Sequence, residues 1–427
     1  MNTFHSKSTT AVLPDVSLAT PLILQTGTLV YNRIVKAAMH ESMGDKHGAP
    51  SRWLLPLYEA WAMGGVGLSI TGNVMIDGRA RSEPGNVVVE DERHLDFLRE
   101  WACRGSIGGT RLWMQINHPG KQAMNGLNPE NLAPSSIPFS PALAPYFPTP
   151  REIRPAEIKD VIGRFANTAR IAKKAGFGGV QIHAAHGYLI NQFLSPYHNR
   201  REDDWGGTPE KRRRFLLAVY QAIRTAVGRD YPIGIKLNSA DFQKGGYDER
   251  ESLEAVLAIA DAGIDMIEIS GGTYESPVMT GAQQAQKEST RLREAYFLDF
   301  AEQVRSKTSV PLMVTGGFRT AAGMNAALQS GALDFIGLAR LLSIDPEVPQ
   351  LLLAGFDPSH EVTPRVSGVK AIDRSRMMEI VWYTRQLMRI ARQGRANPDE
   401  SVLKVALCYL LSNFLRGDIG LPKFRSG

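Results

Sequence analysis

Gln181-Ile-His-Ala-Ala-His-Gly-Tyr-Leu-Ile-Asn-Gln-Phe-Leu-Ser-Pro196 is the stretch from which fold and chemistry are read outward. Running into it, Gly179-Val-Gln-Ile-His183 is short, apolar and β-branched, the pattern of a buried strand. The strand ends on His183, and His186 and Tyr188 follow at once. Two imidazoles and a phenol therefore sit just past the carboxyl end of a strand, which in an α/β barrel is the face that carries chemistry. Two histidines so spaced can both donate hydrogen bonds to one oxygen, and a nearby phenol can deliver a proton. With no nucleophile adjacent, the set suits polarising a carbonyl better than cutting a bond.

Outward from this strand, apolar β-rich runs alternate with helical patterns, the signature of a parallel sheet. The strand candidates are Arg33–Met39, Gly65–Thr71, Arg111–Ile116, Gly178–His183, Ile233–Leu237, Met266–Ser270, Pro311–Thr315 and Asp334–Leu338. Helical patterns follow at Ser51–Met63, Asp91–Ser106, Pro155–Ala175, Pro209–Val227, Glu251–Ala262, Thr290–Ser306, Thr320–Ser330 and Pro346–Ala354. Thr208-Pro209, Thr320 and Asp345-Pro346 place capping residues before first turns. Eight βα units predict an α/β fold, a (β/α)8 TIM barrel with a C-terminal helical extension. The alternative, a doubly wound open sheet, usually has fewer strands and wants a glycine-rich first turn, which Met39-His-Glu-Ser42 is not. The barrel is assigned to residues 18–358 and the extension to 359–427, packed on the barrel or on a partner subunit. Helices are expected there over Asp373–Arg392 and Asp399–Leu415. The proline-rich Asn128–Arg154 cannot form a helix and reads as an ordered loop over a barrel end.

Composition narrows the function classes. The 427 residues are 43% hydrophobic and 22% charged, an ordinary globular balance. Two cysteines, Cys103 and Cys408, are too few for a disulfide framework or a four-thiolate iron–sulfur cluster, and no metal site is expected. The net charge of +6 is uneven: residues 365–427 hold twelve Lys/Arg against five Asp/Glu, which leaves the rest near neutral. A nucleic-acid role would rest on that tail alone, and none is expected. No apolar core of a secretory signal shows in Met1–Asp15, and no 18-residue apolar run exists. Stable membrane insertion is not expected, and the cytoplasm is the expected compartment. In the tail, Arg385, Arg389 and Arg392 share a helical face beside an apolar stripe of Met377, Val381, Leu387, Met388 and Ala391. A membrane-surface helix is one reading; a packed helix with a solvated basic face is the favoured one. Val402–Leu415 is apolar nearly all round and is expected to be buried in the fold or in a homodimer interface.

Val314-Thr-Gly-Gly-Phe-Arg319 ends the seventh strand and leads to a helix, and Gly337-Leu-Ala-Arg340 ends the eighth. Barrels often bind a phosphate between these loops, where glycine amides approach closely and a helix N-terminus faces the anion. Gly316, Gly317, Gly337 and Arg340 are the candidates, Arg340 through a charge-assisted contact.

The opening stretch, continued through Asn199-Arg-Arg-Glu-Asp-Asp-Trp-Gly-Gly207 and Arg212-Arg-Arg-Phe215, resembles the signature of the Old Yellow Enzyme family. The resemblance spans about residues 18–350. It implies bound FMN, NADPH or NADH as hydride donor, and reduction of an activated C=C bond by ping-pong hydride transfer through flavin N5. In that scheme the substrate is a small electron-poor alkene, such as an enone, enal or nitroalkene. His183 and His186 bind its activating oxygen, and Tyr188 is the catalytic acid. The resemblance also places backbone groups at Ala37, Ala38 and Met39 beside the flavin, with Asn73 at the carbonyl edge of the ring. Gln115 reads the pyrimidine, and Lys236 sits against the N1/O2 side, where a fixed cation steadies the reduced ring. The chain departs from the family at His40, where relatives carry Thr or Cys that tunes the flavin, and at Ala38, usually Pro. Gly72-Asn73 replaces the commoner Glu followed by a small residue. Two other readings are a barrel lyase or isomerase acting on a phosphorylated substrate without flavin, and a scaffold working through its basic tail.

Overall fold

The computed structural model describes residues 16–141, 143–273, 297–358, 362–369, 373 and 377–416. Eight strands pair in parallel: β1 Ile34–Lys36, β2 Leu68–Ile70, β3 Arg111–Asn117, β4 Gly179–Ala184, β5 Ile233–Asn238, β6 Met266–Ser270, β7 Leu312–Thr315 and β8 Phe335–Leu338. Each strand lies beside its sequence neighbours, and pairing of β8 with β1 closes the ring. This is the expected TIM barrel, not an open sheet. Strands β4, β5 and β6 are buried at every residue, as parallel strands covered on both faces must be.

Alternation along the strands sorts the bore into layers. Val35, Leu68, Ile70, Trp113, Met266, Met313 and Phe335 form one apolar cluster at its base. Gly179 and Gly234 are glycines because a Cβ at either would run into the Trp113 ring. Two residues further along the same strands the bore turns polar, with Gln115, Gln181, Lys236 and Glu268 all buried. The next step on β4, β5 and β6 brings His183, Asn238 and Ser270 to the carboxyl face.

The outer helices are α1 Leu54–Met63, α2 Leu95–Arg104, α3 Pro155–Ala175, α4 Leu189–Leu194, α5 Pro209–Val227, α6 Glu249–Asp261, α7 Leu298–Arg305, α8 Ala321–Gln329 and α9 Val348–Leu353. Thr208 and Thr320 cap as expected, accepting from Lys211 N and Gly323 N. Asp345 does not cap: its Oδ1 accepts from Glu347 N at 2.9 Å in a side-chain turn, and the helix starts at Val348. The α4 turn was not anticipated as an element, because its six buried residues are too few to show a helical period. Of the helix expected from Thr290, residues 290–296 lie outside the described residues. The proline-rich segment carries a short parallel pair, Leu132–Ala133 with Arg151–Glu152, and packs Phe139 against Phe147, the rings tilted by 37° with centroids 4.6 Å apart.

The extension forms α10 Met377–Gln393 and α11 Val402–Arg416. Its basic face is partly paired and partly solvated, with Arg385 and Arg389 half-buried and Arg392 exposed. Arg385 and Arg389 approach Glu400 at 2.9 and 3.8 Å, and Arg392 lies over the Trp53 ring of the segment leading into α1. Trp382, Tyr383, Val402 and Val405 pack with Ile344 in a cluster of their own. Of Val402–Leu415, expected to be buried in the fold or in a homodimer interface, Val402, Val405 and Ala406 are buried within the chain while Leu403 and Leu407 are exposed on it. Among the described residues no helix is long and apolar enough to cross a membrane.

Candidate active site at the carboxyl end of the barrel

β4 delivers His183, and the chain then turns sharply. His186 and Gly187 adopt successive left-handed conformations, φ 59° and 81°. A non-glycine residue holds such a position only where its surroundings enforce it. Here they do: His186 N donates to Asn238 Oδ1 at 3.1 Å, and Gly187 N to Asn191 Oδ1 at 2.7 Å. Gln192 Nε2 donates to Gly187 O at 2.6 Å. Asn191 and Asn238 in turn donate to Asp241 Oδ1 at 3.0 and 3.1 Å. Helix α4 and the end of β5 thus brace the turn.

The braced turn brings the three expected side chains together. The His183 ring meets those of His186 and Tyr188 edge-on, with centroids 5.2 and 4.8 Å apart. Burial, and after it the Lys236 charge, holds both imidazoles well below the usual histidine range, so both are neutral at pH 7. Ala185 N donates to His183 Nδ1 at 3.3 Å, which places the His183 proton on Nε2. His186 Nε2 pairs with Ser270 Oγ at 2.8 Å, so its Nδ1 is the nitrogen left to meet a ligand. The pair can polarise an oxygen without carrying charge of its own.

Beneath them runs a polar ladder. Gln115 Nε2 donates to Gln181 Oε1 at 2.7 Å, and Gln181 Nε2 to Glu268 Oε2 at 2.8 Å. Glu268 Oε1 takes Lys236 Nζ at 2.9 Å and Thr315 Oγ1 at 2.7 Å. Lys236 therefore points into the bore as its strand alternation required, but as half of a buried ion pair rather than as a lone cation. Gly337 faces the same layer, and a Cβ there would collide with the Thr315 hydroxyl. Gln181 and Glu268 were missed in the sequence. Their signal was a polar residue set inside each apolar run, Val180-Gln-Ile182 and Ile267-Glu-Ile269.

At the β1–β2 edge, Ala37 N still pairs with Leu338 O at 2.8 Å, and Ala38 and Met39 lead out of the bore, the Met39 sulfur accepting from Ser343 Oγ at 3.1 Å. Glu41 then turns its carboxylate inward under α1, where it accepts from Tyr58 OH and from Gly72 N. A Cβ at Gly72 would collide with that carboxylate and with the Met39 carbonyl. The acid that the resemblance expects at position 72 is thus supplied from position 41. Lys36 completes the cluster, donating to Ile70 O at 2.6 Å and Tyr58 OH at 3.3 Å, and its burial pushes its pKa down to about 8. His40 faces two amides, Asn73 Oδ1 at 3.1 Å and Asn86 Nδ2 at 3.3 Å, and Asn73 Nδ2 reaches Tyr188 OH at 3.4 Å.

The loops after β7 and β8 lie side by side, since those strands pair. Gly316 and Gly317 have φ 108° and 99°, where a side chain would be strained and the backbone can approach a ligand closely. The N-terminus of α8 is partly occupied: Ala321 N donates to Asp357 Oδ1 at 2.6 Å. The Arg340 guanidinium lies 3.6 Å from Glu379 of α10, a carboxylate that no local sequence signal connects to it. A buried amide and ammonium in the bore, with paired glycines and an arginine at neighbouring strand ends, make a donor set suited to a polar heterocycle bearing an anionic tail. On that chemistry the residues fit FMN.

Comparison with known proteins bears on the same residues. The family profile of the NADH:flavin oxidoreductase / NADH oxidase family matches residues 17–357. The chain is 36% identical over 399 residues to the NADH-dependent flavin oxidoreductase iliE of Hypocrea jecorina (strain QM6a), covering 88% of this chain and 96% of that one. It is 35% identical over 399 residues to the iliE protein of Neonectria sp. (strain DH2), again over 88% of this chain, but spans only 52% of that relative. Morphinone reductase superposes with a TM-score of 0.67 at 22% identity, covering 82% of this chain and 92% of that one, a likeness of fold. The chain therefore belongs to the NADH:flavin oxidoreductase / NADH oxidase family, the Old Yellow Enzyme family of FMN-dependent enzymes that use NADH or NADPH.

Proposed function

We propose that this chain uses NADH or NADPH to reduce the C=C bond of a small electron-poor alkene, an enone, enal or nitroalkene, in two alternating half-reactions. The observation that carries this reading is the clustering of two neutral imidazoles and a phenol above the bore, with the His183 ring meeting both of the others. Bound FMN supplies the hydride carrier between the nicotinamide and the alkene. His183 through Nε2 and His186 through Nδ1 hold the activating oxygen of the substrate. Charge that develops on this oxygen is met by fixed donors in a water-poor site, an oxyanion-hole role. Tyr188 gives the proton to the carbon next to the activating group.

The remaining assignments concern the cofactor. Gln115, Asn73 and the backbone at Ala37, Ala38 and Met39 would hold the ring, with His40 beside Asn73. Gly316, Gly317, Gly337 and Arg340 would hold the phosphate, Arg340 exchanging Glu379 for it. Lys236, steadied by Glu268, would face the electron-rich edge of the ring. Isotopic labelling tests the reaction. With 4-deuterated NADH in ordinary water, deuterium should appear only at the β-carbon of cyclohexenone product. With ordinary NADH in heavy water it should appear at the α-carbon. A product reduced at the carbonyl, or no organic product with any activated alkene, would contradict the proposal.

A further inference from the structure

Under α1 the fold buries a carboxylate, an ammonium and a phenol together: Glu41, Lys36 and Tyr58. The β1–β2 ladder pairs Val35 with Leu68 and Lys36 with Ser69, and past that point side chains join the two strand ends. Glu41 Oε1 accepts from Gly72 N at 2.8 Å and from Tyr58 OH. Gly72 N also reaches Tyr58 OH at 3.1 Å. Lys36 Nζ donates to Ile70 O at 2.6 Å and to Tyr58 OH at 3.3 Å, and it lies 4.5 Å from the centroid of the Trp61 ring.

Such a group of charges is a costly way to fill space. Taking both ions out of water offsets most of their attraction, and apolar side chains of the same volume usually serve stability as well or better. What apolar side chains cannot do is hold a peptide group. Glu41 holds the N–H of Gly72 from the β1 side. The residue before it is held from β3, where Thr71 N donates to Trp113 O at 2.9 Å and Thr71 Oγ1 accepts from Gln115 N at 2.9 Å. The Thr71–Gly72 peptide is therefore fixed from both sides. The next residue is Asn73, whose Nδ2 reaches Tyr188 OH at 3.4 Å.

The fit around Gly72 is close. A Cβ there would collide with the Glu41 carboxylate and with the Met39 carbonyl. The exits of β1 and β2 thus stand at a separation matched to the reach of the Glu41 side chain. Lys36 and Glu41 share the Tyr58 hydroxyl between them, so the carboxylate has a counter-charge in the same sealed space.

We propose that Glu41, its charge balanced by Lys36, is a positioning residue that sets the spacing between the exits of β1 and β2 and so places Asn73 against the cofactor ring. This rests on the reading of Ala37–Met39 and Asn73 as the residues that border the ring. Two conservative substitutions separate reach from charge. Glu41→Gln keeps the length and an acceptor for Gly72 N. Glu41→Asp keeps the charge and shortens the reach by one carbon. The Kd for FMN is read from the fluorescence of flavin released on serial dilution of the loaded protein, and the visible absorbance of the bound flavin is recorded beside it. Glu41→Asp should raise the Kd about tenfold and displace the visible bands, while Glu41→Gln should stay within about twofold with the bands in place. Gly72→Ala, which alters the same spacing by collision with Glu41 intact, should move both readings as well, and it decides the matter if the Asp variant does not fold. If Glu41→Gln moves them as far as Glu41→Asp, charge rather than spacing is at work. If none of these substitutions moves them while Asn73→Ala does, Glu41 serves the fold alone. Either result overturns the proposal. If Asn73→Ala also leaves both readings unchanged, the placement of Asn73 at the ring falls, and this inference falls with it.

Discussion

The turn after β4 and the edge between β1 and β2 face the same reaction space, yet they are built in opposite ways. The turn carries its reactive groups in six consecutive residues, His183 to Tyr188, and is braced by amides from the helix and strand that follow. The edge assembles its groups from distant positions. Glu41 fills the space left by Gly72, and His40 meets Asn73 and Asn86. A compact motif states its chemistry in one place. A site shared among loops can exchange a side chain between loops and keep the same chemistry in space.

The comparison breaks most sharply at Tyr188. Tyr188→Phe should slow reoxidation by cyclohexenone by about 10²–10⁴, the usual worth of a positioned general acid, and slow reduction by NADH far less. Stopped-flow traces of the two half-reactions check this, and equal slowing of both would remove the assigned role. A nitroalkene, whose product anion survives without immediate protonation, should suffer less.

Acid should expose the histidine-bearing side next. His118, His183, His186 and His198 are all held neutral, chiefly by burial, with His118 lowered from 6.5 to about 4. Below pH 6.5 the unfolded chain binds protons that the folded chain does not. Stability is therefore intact above that pH and falls as pH drops toward 4. His118 alone contributes about 3 kcal/mol to this loss. Thermal melts across pH 4–7 should show it, and His118→Gln should flatten the slope; an unchanged slope would mean that His118 is charged in the folded state.

Removing the brace tests why the left-handed His186 is tolerated. Asn238→Leu strands Asp241, Asn191 and the Gly272 carbonyl without their amide donor. It should cost about 2–3 kcal/mol and weaken phenol binding to the loaded enzyme. A melt and a phenol titration unchanged from the parent would show that the turn holds itself. The smallest effect is expected at the edge. Gly72→Ala should cost about 1–3 kcal/mol by overpacking, and less in a Glu41→Ala background, where one of its two collisions is gone. Equal costs in both backgrounds would separate Gly72 from Glu41.

The fold was largely legible in the sequence because each strand is a short apolar run closed by turn residues. All eight were located, although Arg33–Met39 shrank to Ile34–Lys36 as its end left the ladder for the site. The six-residue α4 was too short to announce itself. In the site, His183, His186 and Tyr188 were legible because they are contiguous. Glu268 was not, since nothing near it in sequence names Lys236, Gln181 and Thr315 as its partners. The meeting of Asn73 and Asn86 at one nitrogen of His40 likewise exists only once the loops after β1 and β2 have met. Long-range charge pairing carries no period, so periodicity could not reveal it.

The central claim, that this barrel passes hydride from NAD(P)H to an activated alkene held by His183 and His186, is tested most directly by one anaerobic single turnover. The FMN-loaded protein is bleached with one equivalent of NADH and mixed with excess cyclohexenone, while flavin absorbance and product are followed together. The yellow colour should return as a single phase, with one cyclohexanone formed per flavin, and His183→Ala with His186→Ala should abolish that phase. Flavin that stays bleached with enone and nitroalkene alike, yet recolours when oxygen is admitted, would contradict it.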